Sequence, residues 1–315
     1  MKKICISLLF CILALTFCFP GVAYAQSDEE LPAPGITPDS PFYFLDKWGK
    51  QLSLMFTFKA ETKVQKALQY ADERMAEIDA MIARNKIKEA TRATNEYQNC
   101  LEIAAQNVEQ ARLKGVDVSE KVALMTQKHL GVVNNITYEA TENARMVLTQ
   151  TRERAVVCQE TALKSMAKGD PEKAMQFTLQ LMERQLNRIR VQAADPEAEK
   201  LQELLQEYNR LGNLGEKISE IAKALGEETT VDQLVGQAIA HHLEVLAEVH
   251  QRVQEQSQQA IEDAMQNRIQ THERVVTELQ EQNQLGEVPE EPPIPEEILE
   301  NIRQRISSGE SQRNK

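Results

Sequence analysis

From residue 59 to about 284 the chain repeats apolar residues in steps of three and four, and no run of alternating β-branched residues is long enough to make a strand. Val64, Ala67, Leu68, Ala71, Met75, Ile78 and Ile82 form one stripe of a 3.6-residue helix. After a break near Asn85, Ala90, Ala93, Tyr97, Leu101, Ala104, Val108 and Ala111 form the next. Stripes of this kind are buried by packing helix on helix, so the fold class expected is all-α, an elongated helical bundle.

The punctuation agrees. Lys114-Gly-Val-Asp117 ends a helix, and Ser119 followed by Glu120 suits the start of another. Gly169-Asp-Pro171 and Ala194-Asp-Pro196 each place an aspartate where its carboxylate accepts free backbone N–H groups, with proline in the first turn, where its missing N–H is not needed.

The segments also repeat. Shifted by 111 residues, Val64 falls on Met175, Leu68 on Leu179, Ala71 on Met182, Met75 on Leu186, Ile78 on Ile189, and Glu96-Tyr97 on Glu207-Tyr208. With two more residues in the later loop, Val118 falls on Val231, Val122 on Val235 and His129-Leu130 on His242-Leu243. A near-constant offset across successive helices and their boundaries points to two duplicated units, 59–168 and 170–284, each a helical hairpin followed by one long helix. Glu287 to Pro295 then reads as an extended Pro/Glu linker (285–295), and 296–315 as a short helix carrying Ile298, Ile302 and Ile306 with a mobile polar tail.

Residues 1–25 have the parts of an export signal: Lys2 and Lys3, an apolar run from Ile4 to Phe19, and Ala23-Tyr-Ala25 for cleavage. Retention as a membrane anchor is the alternative, disfavoured because the run falls short of about 20 residues. Cleavage near Ala25 takes the formal charge from −12 to −14, which argues against binding phosphate-rich nucleic acid. The expected location is extracytoplasmic, secreted or in the cell envelope. Cys100 and Cys158 then remain, open to a single disulfide, although two buried thiols suit the sequence slightly better.

Six of the eleven aromatic residues beyond position 25 fall within 42–58: Phe42, Tyr43, Phe44, Trp48, Phe56 and Phe58. Ser40 suits a cap, Pro41 a first turn, and Phe44, Trp48, Leu52 and Met55 or Phe56 recur at helical spacing. Two roles are open: a packing clamp that plugs one end of the bundle, or an exposed surface for a partner. The clamp is favoured, because Lys47, Lys50 and Lys59 are the only nearby cations and membrane-surface helices are usually more basic.

Catalytic signatures are missing from the sequence. There is no glycine-rich phosphate loop, no Gly-x-Ser-x-Gly elbow and no Cys-x-x-Cys, and in His272-Glu-Arg-Val-Val276 a valine stands where a second zinc ligand is needed. The best metal candidate is the face of His241, Glu244 and Glu248, spaced three and four apart, a weaker prospect than a solvated helix face. No cofactor is expected.

Pro34-Gly-Ile-Thr-Pro-Asp-Ser-Pro-Phe-Tyr-Phe-Leu-Asp-Lys-Trp48, followed by Leu52, Phe56 and the stretch from Glu61 to Glu89, resembles the opening of an exported bacterial protein family, domain of unknown function 5667. The likeness spans about residues 32–150. It implies an exported, predominantly helical protein and supplies no activity, ligand or catalytic residue.

The functional expectation is a non-enzymatic structural or protein-interaction protein of the bacterial cell envelope, acting through long acidic helical surfaces. Its partner would be another envelope protein or a second copy; peripheral membrane contact is not favoured and nucleic acid is excluded by charge. The alternative is an extracytoplasmic metal- or ligand-binding protein using the His241 face.

Overall fold

The structure is a computed structural model and describes residues 31–193 and 198–313. Among these, ten helices and no strand occur: α1 (Tyr43–Met55), α2 (Ala60–Ala83), α3 (Ile87–Leu113), α4 (Ser119–Glu139), α5 (Glu142–Ala167), α6 (Pro171–Gln192), α7 (Ala198–Leu225), α8 (Glu228–His250), α9 (Glu255–Glu281) and α10 (Glu296–Arg313). The expected export signal, its cleavage point near Ala25 and the Ala194-Asp-Pro196 helix start lie outside the described residues.

Local chemistry explains several of the boundaries. Asp170 Oδ1 accepts from Lys173 N at 2.8 Å, with Pro171 opening α6. Helices α2, α3, α7 and α9 end on left-handed residues, Asn85, Gly115, Gly226 and Asn283. The amide that follows each then turns back to a carbonyl of the last turn, as in Lys86 N to Met81 O at 2.8 Å and Gln284 N to Leu279 O at 2.8 Å. Two expected caps are displaced. Ser119 Oγ is buried without a partner, and Asp117 Oδ1 instead accepts the Ser119 amide at 2.8 Å. Ser40 Oγ accepts from Phe42 N at 3.3 Å, so α1 begins only at Tyr43.

The expected three-helix unit is corrected to four. The long helix read across 119–168 breaks at Ala140 and Thr141, both extended. Unbroken it would run about 75 Å at 1.5 Å per residue, far past its neighbours, with half its stripe in water. Folding back lets both halves bury their apolar faces, so α4 lies on α5. The second half breaks likewise between α8 and α9 at 251–254.

Helices α2 to α5 form the first bundle, with α2 on α3, α3 on α5 and α2 on α4. Helices α6 to α9 form the second, with α6 on α7, α7 on α9 and α6 on α8. The bundles meet where α5 packs on α6 and α7. Each has its own core: Leu68, Met75, Tyr97, Leu101 and Leu148 lie in the first, and Met175, Leu186, Tyr208, Leu243 and Ile261 in the second.

The C-terminal helix, whose short stripe leaves open whether it docks back or hangs free, is docked. Val288, Leu299 and Ile302 are buried in the second core, and Arg303 pairs with Glu273 at 2.9 Å and Arg305 with Asp263 at 2.7 Å. A Cβ on Gly236 would stand 2.7 Å from Val288 Cγ1, so glycine there lets the linker approach α8.

Candidate interaction face

Helix α1 has two opposed faces, set by the 100° step per residue. Tyr43, Asp46, Lys50 and Leu54 point inward, where the Tyr43 ring lies 5.1 Å from the buried Arg74 guanidinium. Arg74 donates from Nη1 to both oxygens of Glu77, at 2.8 and 2.7 Å, and from Nη2 to Asp46. Burial works against the ionised Asp46 carboxyl, but the bonds from Lys50 and Arg74 hold it below the usual carboxylate range. Lys50 also reaches Glu73, and Lys47 reaches Glu96 on α3 at 2.5 Å.

On the other face, Phe44, Leu45, Trp48, Leu52 and Met55 fall within about 100° of one another and are exposed. Trp48 is 65% exposed, Phe44 58%, Phe42 62%, and Phe56 and Phe58 beyond the helix 68% and 86%. The clamp expectation is therefore overturned for all of the rings except Tyr43, which is 9% exposed. The polar anchor at Asp46, Lys47 and Lys50 faces the bundle, which turns the ring-rich side to solvent. Beside it, a groove of about 420 Å³ runs between α1, α2 and α3, lined by Leu54, Met55, Tyr70, Ile103, Lys63 and Cys100 among others.

The metal candidate does not assemble. His241 is exposed, with nitrogens 3.8 Å from Glu244 and from Glu183, while Glu248 turns to Arg190 and Arg252. No cluster of three or more potential ligands occurs among the described residues. Helical spacing put the three on one face, but arginines one turn and one helix away took Glu248. The disulfide is not formed either: Cys100 and Cys158 are free and buried, and burial pushes each thiol up to about 12.

A polar constellation that the sequence reading did not assemble occurs once per bundle. In the first, the Tyr97 hydroxyl is 3.0 Å from His129 Nδ1, and His129 Nε2 is 3.2 Å from Asp72 Oδ1, which also accepts from Lys128 at 2.9 Å. In the second, the Tyr208 hydroxyl is 3.1 Å from His242 Nδ1, and His242 Nε2 is 3.4 Å from Glu183 Oε2. A carboxylate only accepts, so the Nε2 proton faces the acid and Nδ1 accepts from the tyrosine. Burial lowers the pKa of both histidines, which keeps the rings neutral and makes that assignment self-consistent. The rings are fully enclosed or nearly so, which leaves no approach for a substrate. The signal was visible in part: tyrosine and histidine align at the offsets found in the sequence, and Asp72 and Glu183 are 111 apart, but their different identities hid the acid.

No curated protein matches the chain. A solved structure described as "Circular tandem repeat protein with novel repeat topology and enhanced subunit contact surfaces" is similar at 13% identity and a TM-score of 0.48, over 71% of this chain and 50% of that one. The chain thus spans half that protein's length, and a likeness of this grade carries no argument about function. From the turn before α1 into the middle of α5, residues 35–156 match the family described as "Domain of unknown function (DUF5667)".

Proposed function

We propose that the chain is an exported, non-enzymatic structural protein of the cell envelope, and that the outer face of α1 docks a second copy of the chain. The observation that carries this reading is the row of exposed rings on a helix whose inner face is pinned by buried ion pairs. Contiguous apolar surface of this kind is uncommon on a protein that works alone.

Three features favour a second copy. Lys47 and Lys50 are engaged by Glu96, Asp46 and Glu73, leaving them poorly placed to attract an anionic lipid surface. Glu207 of the second bundle grips Arg152 of α5 just as Glu96 of the first grips Lys47 of α1, so α1 sits where a preceding helical unit would end. On the far side α10 presents Glu296, Glu297, Glu300 and Arg303 to solvent, a charged surface that does not match the rings of α1 and so favours head-to-head over head-to-tail pairing. Five rings of about 150–250 Å² each, all more than half exposed, approach the scale of a standard interface side, about 800 Å².

Sedimentation of residues 26–315 tests the reading. The expected result is a dimer that Phe44→Ser with Trp48→Glu weakens by at least about 30-fold, the loss typical of interface hot spots, with helicity unchanged by circular dichroism. A wild-type chain that stays monomeric at about 100 μM, well above typical dimer dissociation constants, sinks the self-association reading. Because Trp48 is the single tryptophan, a blue shift of its emission on adding lipid vesicles to such a monomer would name a membrane as the occupant instead.

A further inference from the structure

His272 on α9 is fully buried, and neither of its ring nitrogens has a hydrogen-bond partner among the described residues. The other two buried histidines, His129 and His242, each meet a tyrosine at one nitrogen and an acid at the other. Over His272 lies the strap of residues 284–295 that leads into α10. The Pro289 backbone approaches the ring, and without an N–H it offers only its carbonyl. A Cβ on Gly236 would meet Val288 at 2.7 Å and Val275 at 3.3 Å, which seats Val288 beside Val275, one turn from His272 on the same face of α9. Glu273, next in the chain, pairs with Arg303 of α10 at 2.9 Å.

The strap is lightly held. From 282 to 295 only Val288 and Pro292 are buried, and Gln284 is tied to α8 by one bond, Gln233 Nε2 to its carbonyl at 2.8 Å. A neutral imidazole can be enclosed here, but an imidazolium would be a buried charge with two unmet N–H donors. Burial accordingly lowers the pKa of His272, against weaker pulls from Glu273 and the Pro289 carbonyl. A released His272 would titrate near the ordinary value of about 6.5, so the closed strap is favoured above that pH and loses ground as pH falls below it. The other ionisable groups on the surrounding elements are Asp232 with Glu228, Arg274 and Glu278, then Glu262 and Asp263 holding Arg305, and Glu287, Glu290 and Glu291 of the strap. Asp232, raised to about 6 chiefly by burial, gains its proton over the same range with the opposite effect on stability, so it cannot loosen the strap on acidification.

We propose that His272 makes the strap and α10 an acid-released latch, in which protonation of the ring frees the C-terminal segment from α9 while both bundles stay folded. Amide hydrogen exchange of the full chain, read by mass spectrometry at pH 7.5 and 5.0 and corrected for the intrinsic rate at each pH, tests it. The opening equilibrium of 286–305 is expected to rise about 5- to 30-fold at pH 5.0, the upper figure being the ratio of charged to neutral imidazole in a released histidine. Amides of α2 and α3 should keep their protection. His272→Leu should leave the strap equally closed at both pH values. If that variant does not fold, His272→Gln, which places here the amide that Gln159 carries at the matching position, should give the same result. A rise below about fivefold, a rise that survives the variant, or equal loosening of α2 and α3 would each overturn the proposal.

Discussion

Tyr97 and Tyr208 show how a single hydroxyl can specify an interior. Each donates to a neutral imidazole whose other nitrogen is held by an acid, so removing the hydroxyl leaves a buried Nδ1 without a donor. Tyr97→Phe and Tyr208→Phe are each expected to cost about 1–3 kcal/mol by denaturant unfolding, with the midpoint shifted and the slope kept. Asp232 on α8 behaves in the opposite way to a paired carboxylate. Burial, then the nearby Glu278 on α9 and Glu228 on its own helix, raise its pKa to about 6 against a weaker pull from Arg274. The folded chain therefore holds this proton more tightly than the unfolded one. Stability is lost as pH rises from about 4 through about 6, and the loss is complete above that. Asp232→Asn should stabilise by about 1–3 kcal/mol at pH 7.5 and have no effect at pH 4, measured by thermal unfolding at both. A gain of equal size at both pH values would place the cause in packing.

At the scale of an element, α1 and α10 are helices whose sequences leave open which side they bury. Periodicity marks a wide apolar face on α1, yet the side turned inward is the one carrying Tyr43, Asp46, Lys50 and Leu54, because Arg74 and Glu77 are buried and require partners. The three isoleucines of the last segment are too few to predict docking from sequence. What seats that helix is the groove on α8 and α9, opened by Gly236 and completed by Val288. Ile302, fully buried, contributes to this closure, and Ile302→Ala is expected to cost about 2–5 kcal/mol and to speed proteolysis within 286–313. Cleavage in that segment at the wild-type rate would show that the tail is not held by its apolar contacts.

Across the whole molecule, two four-helix bundles repeat the same order of packing and the same tyrosine, histidine and acid contacts. They differ where they meet other things. Gln159 of α5 accepts from Arg210 of the second bundle at 2.8 Å, whereas its counterpart at the 113 offset, His272 of α9, is fully buried within the second half. The offsets read from the sequence coincide with equivalent contacts at particular buried positions, while the division into hairpin plus one long helix does not hold. Ala140 and Thr141 carry no glycine or proline, so a break forced by bundle length leaves little local trace.

The all-α class, the core stripes from Val64 to Ala111, the Asp170 cap and the offsets between the two halves were determined by the sequence alone, because each follows from local periodicity or backbone chemistry. Tertiary structure alone decided that the rings of 42–58 other than Tyr43 face solvent, that Glu248 serves arginines in place of a metal, that Cys100 and Cys158 stay apart, and that the C-terminal helix docks. The physical reason is common to all four. An amphipathic pattern specifies that a face exists, while the choice of what covers it depends on long-range packing and on which buried charges must be satisfied first.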